Sequence, residues 1–130
     1  MSYYFARVVP MGFDKAIEAT RTSLAKHGFG VLSDIDVQAT MKQKLGLEMD
    51  RYRILGACNP AMASEAIASE ARIGTMLPCN VIVRADGDTI EVAAVDPLAS
   101  MAAVDNPALQ TIAGNVREKL QSVIADIEVG

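Results

Sequence analysis

Apolar residues recur at helical spacing near the C-terminal end of the chain, where they form the most regular pattern in the sequence. Their spacing of i, i+3, i+4 and i+7 predicts an amphipathic helix of about five turns. The apolar stripe consists of Leu109, Ile112, Ala113, Val116, Leu120, Val123, Ile124 and Ile127. Charged residues avoid this stripe, so we expect the helix to cover an apolar sheet.

Shorter patterns predict five strands and three further helices. β-prone runs predict strands over residues 3–9, 29–35, 52–57, 80–85 and 89–95, the last two joined as a hairpin by Asp86-Gly87. Helical spacing predicts helices from residue 14 to the stop at Gly28, over 37–45, and from 60 to about 72. The order β-α-β-α-β-α-β-β-α predicts one α+β domain over 1–130, with an about five-stranded, largely antiparallel or mixed sheet covered by helices.

The same pair of residues marks three helix starts. Asn59-Pro60, Asp96-Pro97 and Asn106-Pro107 each place an N-capping side chain before a proline at the first helical position. The capping oxygen accepts a bond from a free amide of the first turn, and proline has no amide to satisfy there. We therefore expect a helix to begin after each pair.

Composition narrows the class of protein. The chain has 130 residues, of which 51% are hydrophobic and 22% charged, as in a folded domain. It contains no run of about 20 apolar residues and no basic segment followed by an apolar one at its start, so we expect a cytoplasmic protein without membrane contact. A net charge of −4 and the absence of tryptophan argue against nucleic acid as a partner.

The chain has two cysteines, Cys58 and Cys79, and one histidine, His27. Two thiols make no disulfide framework, and even with His27 they fall short of a four-ligand zinc site within one chain. No metal site is therefore predicted, and the thiols are expected to be reduced. His27 ends the first predicted helix, where a role at the helix terminus is expected. The sequence contains neither a phosphate-binding loop nor a nucleophilic-serine motif, so it indicates no cofactor and no reaction.

Several short motifs occur together in a fixed order. They are Gly28-Phe-Gly-Val31, Asp36, Gly56-Ala-Cys-Asn-Pro60, Leu77-Pro-Cys-Asn80 and Val95-Asp-Pro97. In this combination the chain, from about Gly12 to Ile127, resembles the bacterial and archaeal family called domain of unknown function 302. The resemblance implies an α+β fold with helices packed on a sheet, often as a dimer, and directs attention to both cysteines. It implies no particular activity.

Cys58 directly precedes the Asn59-Pro60 helix start. Amide groups and the positive end of the helix dipole favour a thiolate there, which would make Cys58 a reactive thiol, a sulfur carrier or a soft-metal ligand. The alternative, favoured by burial statistics, is a small buried residue where a strand meets a helix. Separately, methionines could line a soft-metal or flexible ligand pocket, although methionine more often fills a core or an interface; the candidates are Met41, Met49, Met62, Met76 and Met101.

Whether Cys79 meets Cys58 depends on strand direction. If the strand from Asn80 runs antiparallel to the strand that ends near Cys58, both sulfurs lie at one sheet edge. If the intervening helix makes a crossover, the strands are parallel and the cysteines lie at opposite edges. The segment between them is long enough for either route, and we expect the crossover.

Carboxylates complete the set of candidate residues. Asp34 and Asp36 end one predicted strand and Asp96 ends another, at positions where α/β folds often bind ligands, although helix capping by Asp34 or Asp36 and by Asp96 explains the spacing with fewer assumptions. The candidate ligand or thiol site comprises Cys58, Asn59, Cys79, Asn80, Asp36 and Asp96.

Two functions remain open on this basis. The first is a thiol-centred module in which Cys58 binds a small molecule, a soft metal or a redox partner. The second is a non-enzymatic dimerisation or small-ligand-binding domain in which the cysteines are structural. The amphipathic C-terminal helix and the many small residues favour a homodimer in both cases.

Overall fold

Five antiparallel strands form one open sheet, with helices packed on it. The computed structural model describes residues 2–129. Its elements are β1 (Tyr4–Val9), α1 (Phe13–Lys26), β2 (Gly30–Asp36), α2 (Val37–Leu45), β3 (Tyr52–Cys58), α3 (Pro60–Ser69), a 3-10 helix (Ala71–Met76), β4 (Cys79–Asp86), β5 (Thr89–Val95), α4 (Pro97–Ser100) and α5 (Pro107–Ala125). The predicted order of strands and helices is confirmed, and the pair Asp96-Pro97 begins the short helix α4.

The strand order is β1-β5-β4-β3-β2, and every neighbouring pair is antiparallel. The expected crossover between β3 and β4 is therefore wrong. Helix α3 and the 3-10 helix return the chain to the sheet edge that β3 has just left, so that β4 starts beside the end of β3. The handedness rule that favours a crossover applies only when the two strands are parallel.

The core lies between one face of the sheet and the helices α1 and α5. On β4 the side chains of Val81 and Val83 are fully buried, while their neighbours point to the other face, as strand alternation requires. The predicted α5 stripe is confirmed, since seven of its eight residues are buried and Ile112 packs partly buried against them. Arg7 of β1 donates hydrogen bonds to carbonyl groups at the end of α5, which satisfies a helix terminus.

The opposite face of the sheet, which we call the outer face, carries three rows of side chains related by strand pairing. One flanking row consists of Tyr4, Val95, Asn80, Gly56 and Ser33, and the other of Val8, Glu91, Arg84 and Tyr52. The middle row is apolar on every strand and consists of Ala6, Ala93, Ile82, Ile54 and Ile35. Several apolar side chains of this face are well exposed, including Tyr4, Val8 and Ile35, at 44%, 57% and 48%. The outer face is therefore a broad apolar surface that remains accessible to solvent.

Candidate functional site

A small cavity lies where the end of β3 and the start of β4 meet α3, α4 and α5. Its volume is about 30 Å³, and both cysteines line it. Met62 from α3 and Met101, which follows α4, also line it. The remaining lining residues are apolar, apart from Asn59. The cavity is thus an apolar chamber with four sulfur-bearing residues in its wall.

Strand pairing brings the two cysteines together. Cys79 is the ladder partner of Ala57, the residue before Cys58. The antiparallel alternative therefore applies, and both thiols lie at one edge of the sheet. Neither cysteine forms a disulfide; Cys79 is buried, whereas Cys58 is half-buried.

The environment of Cys79 favours its neutral thiol. Burial raises the pKa of Cys79 to about 11, and the neighbouring Cys58 adds to the shift, because a thiolate loses hydration in an apolar chamber and is repelled by a second thiolate. Cys79 is therefore protonated at neutral pH and is a poor nucleophile. Cys58 is the more accessible of the two thiols, and its activation stays a prediction.

The helix start beside Cys58 is built as the sequence predicts. The side-chain oxygen of Asn59 accepts a hydrogen bond from the amide of Met62, at 3.2 Å, and Pro60 occupies the first position of α3. Gly28 lies close by with a φ of +83°, and a Cβ on it would come within 3.2 Å of the Asn59 amide nitrogen. Two of the sequence motifs, around Gly28 and around Cys58, therefore meet at this site.

Asp96 lies at the same sheet edge, but its side chain stabilises the fold and does not line the cavity. The residue is buried, and its two carboxylate oxygens accept hydrogen bonds from the amide of Leu98 at 3.0 Å and from Nε of Arg117 at 3.1 Å. This confirms the capping interpretation. The residue that lines the cavity is its neighbour, Pro97.

The other candidate carboxylates lie far from the thiols. Asp36 pairs with Arg53 near the start of β3, whereas Cys58 ends that strand, and its side chain caps α2 by accepting from the amide of Ala39 at 2.9 Å. Asp34 forms ion pairs with Arg53 and Arg21. The Arg53 guanidinium, assisted by Arg21, holds the pKa of Asp34 below its usual value. Both carboxylates stabilise the fold at the opposite end of the sheet.

Asn80 and His27 do not line the cavity. Asn80 pairs with Gly56 and is exposed, and it lines a shallow groove on the outer face. His27 ends α1, and its Nε2 lies 2.9 Å from Oδ2 of Asp126, at the end of α5. The position of His27 at a helix terminus agrees with the prediction from the sequence.

Met62 and Met101 are the residues that sequence analysis did not assign to the site. Both were among five methionines considered as the lining of a soft-metal or flexible ligand pocket, but nothing in their spacing separated them from the other three. Within residues 2–129 no group of three or more histidine, cysteine, aspartate or glutamate side chains is arranged to hold a metal ion. No helix in this range is long and apolar enough to cross a membrane.

Comparisons with known proteins agree with this architecture. A sequence model described as "Domain of unknown function DUF302" matches residues 5–127. The fold is similar to a crystal structure of an uncharacterized conserved DUF302 protein from Bacillus stearothermophilus, with a TM-score of 0.92 and 26% identity over 98% of this chain and 100% of that one. No curated protein matches the sequence. Because the family model spans nearly the whole chain, this protein belongs to the DUF302 family.

Proposed function

We propose that the protein is a binding domain whose site is the apolar cavity between Cys58 and Cys79. The observation that carries the proposal is that two unpaired thiols from neighbouring strands line one small chamber under three helices. A volume of about 30 Å³ accommodates a single small group. A ligand with affinity for sulfur gains contacts there that water does not, since an apolar chamber offers water few hydrogen bonds.

The arrangement favours binding over acid–base catalysis. Asp96, the carboxylate nearest in the sheet, already uses both oxygens, and the buried Cys79 is protonated at neutral pH. Cys58 is half-buried and so is the thiol that solvent can reach. Unpaired thiols also fit a reducing compartment such as the cytoplasm, which we include in the proposal.

Iodoacetamide alkylation, resolved by peptide mass spectrometry, tests the thiol site. In the native protein we expect Cys58 to react first and the bulky adduct to slow Cys79 further, because both line one chamber. A Cys58→Ser variant with unchanged circular dichroism should leave Cys79 unreactive until urea unfolds the chain. Alkylation of both cysteines only after unfolding would overturn the proposal, because no ligand could then reach either sulfur.

A second candidate function, homodimerisation, is favoured by the outer face. Its middle row is apolar across all five strands. The charged residues in its three rows are Arg84 and Glu91, which pair with each other at 2.9 Å. A second copy of the chain can therefore stack on this face without leaving a charge unpaired.

The dimensions of the outer face are compatible with a dimer. Strands of seven residues, five of them side by side, span about 23 Å by 24 Å. Two such faces in contact cover roughly 1,100 Å² in total, above the approximately 1,000 Å² of a specific interface. This makes a second copy the occupant that we propose for the outer face.

Sedimentation equilibrium at micromolar concentration tests the dimer. We expect about twice the 13.8 kDa mass of one chain, and Ile82→Glu, in the centre of the outer face, should give the monomer. Leu45→Glu is the matched control, because Leu45 is 72% exposed at the end of α2 and outside the three rows. A monomeric wild-type protein, or a dimer unaffected by Ile82→Glu, would refute this interface.

A further inference from the structure

We propose that the cavity binds one copper(I) ion through sulfur, with Cys58 as the thiolate ligand and Met62 and Met101 as thioether donors. The inference rests on the proposed thiol-centred site and names its ligand. A second observation, which the thiol site does not depend on, also supports it: two methionines line the chamber together with both cysteines.

The four sulfur-bearing residues come from four different parts of the fold. Cys58 ends β3 and Cys79 begins β4, while Met62 lies in the first turn of α3 and Met101 directly follows α4. No single amphipathic pattern places them together, since each belongs to a separate element. The fold thus places both cysteines and two of the seven methionines of the chain around a cavity of about 30 Å³.

The donor set selects the class of metal. Thiolate and thioether are soft ligands and favour copper(I), whereas magnesium, calcium and manganese prefer the oxygen of carboxylate, carbonyl or water. Zinc is bound by thiolate, imidazole and carboxylate, and thioether is not among its usual ligands. The lining contains neither imidazole nor carboxylate, because His27 and the aspartates lie elsewhere. The only other polar side chain of the wall, Asn59, is engaged in capping α3.

Charge balance favours a univalent ion. Copper(I) bound to one thiolate is neutral, and a neutral complex loses little free energy in an apolar chamber, whereas a net buried charge loses much. On binding, the Cys58 S–H bond breaks, the sulfur–copper bond forms and one proton leaves to solvent, with no change in oxidation state. Met62 and Met101 can then contribute thioether sulfurs, which are neutral donors and leave the charge of the complex unchanged.

A competition titration tests the inference with the full-length protein. Copper(I) is added anaerobically in the presence of bicinchoninate, and its transfer to the protein is followed by absorbance. We expect one ion per chain. Met62→Leu and Met101→Leu should each weaken binding by about tenfold or more, since even partners outside the ligand shell contribute about 10–100-fold to metal affinity. Leucine keeps the bulk of methionine and removes only the sulfur.

Met76→Leu is the matched control, because Met76 is 38% exposed and does not line the cavity; it should bind copper(I) as the wild type does. Equal binding by wild type, Met62→Leu and Met101→Leu would overturn the proposed copper(I) site. Failure of the protein to compete for copper(I), with Cys58 still reactive toward iodoacetamide, would overturn the inference and leave the thiol site standing. Loss of Cys58 reactivity in the native wild-type protein would instead refute the proposed function itself.

Discussion

The ring of Pro78 lies against Gly56 so closely that a Cβ at position 56 would come within 2.7 Å of the Pro78 Cγ atom. The hydroxyl of Ser33, on β2, would contact the same Cβ. Gly56 and Pro78 belong to the two cysteine-containing motifs of the sequence. Their contact accounts for the glycine in the first motif, since a side chain at position 56 would collide with the Pro78 ring of the second.

Gly56→Ala should destabilise the protein by about 1–3 kcal/mol, the usual cost of adding a methyl group to a packed site that cannot yield. The Pro78 ring is rigid, so that the backbone of β3 or β4 has to move. Urea unfolding followed by circular dichroism measures the change. Gly114→Ala is the control: no atom would contact its Cβ within 4 Å, and alanine should stabilise α5 by up to about 1 kcal/mol. Equal stability of Gly56→Ala and wild type would contradict the packing described.

The raised pKa of Cys79 makes stability depend on alkaline pH. The thiol ionises near pH 9.0 in the unfolded chain and near 11 in the folded one. The unfolded state therefore binds fewer protons between these values, and stability falls as pH rises. Cys79→Ala lacks this ionisation. We expect the stability advantage of wild type over Cys79→Ala to shrink by about 2 kcal/mol between pH 8 and 10.5, measured by urea unfolding. An advantage that is constant over this range would contradict the raised pKa.

Local patterns in the sequence were sufficient to predict the strands and the longer helices, although not the 3-10 helix at Ala71–Met76, into which the predicted helix from residue 60 extended. The α5 stripe, the hairpin turned by Asp86-Gly87 and the caps at Asn59, Asp96 and Asn106 all depend on residues within a few positions of each other. Each requirement is met inside one turn or one helix face, so tertiary structure did not override it. The order of the strands in the sheet is not encoded in this local way.

The site was predictable only in part, because its residues are brought together by strand order and helix packing, which local patterns do not encode. The position of Cys58 before a helix start follows from the Asn59-Pro60 pair, but its proximity to Cys79 depends on the pairing of β3 with β4. A connection containing a helix is compatible with parallel or antiparallel pairing, and the crossover assumption separated the two cysteines. Met62 and Met101 reach the cavity through the packing of α3 and α4, which their spacing in the sequence does not reveal.

Asp34→Asn should lower stability at neutral pH by about 1 kcal/mol, the upper range for an ion pair near the surface. Asp34 accepts hydrogen bonds from Arg21 and Arg53, which lower its pKa. A lowered folded pKa adds stability that is present at neutral pH and is lost as pH falls through that pKa. The deficit of Asp34→Asn should therefore decrease below about pH 4.

The control for Asp34 is Glu48→Gln. Glu48 faces Lys42 at 3.4 Å, and both side chains are largely exposed, so this pair should contribute almost nothing. Thermal unfolding of the three proteins at pH 7 and at pH 3.5 measures both effects. A deficit of Asp34→Asn that is equal at the two pH values would show that the charge of Asp34 is not the source of its contribution.

Asn106 connects α5, which forms one wall of the cavity, to the end of α3. Its Oδ1 accepts from the amide of Leu109 at 3.2 Å, and its Nδ2 donates to the carbonyl and hydroxyl of Ser69 at 3.0 and 3.1 Å. Asn106→Ala removes the cap and the link, so we expect a loss of about 2 kcal/mol in urea unfolding. Asn106→Asp keeps the capping oxygen and should lose about half as much. If Asn106→Asp is as unstable as Asn106→Ala, the cap contributes nothing, and the bonds to Ser69 alone hold α5 at this end.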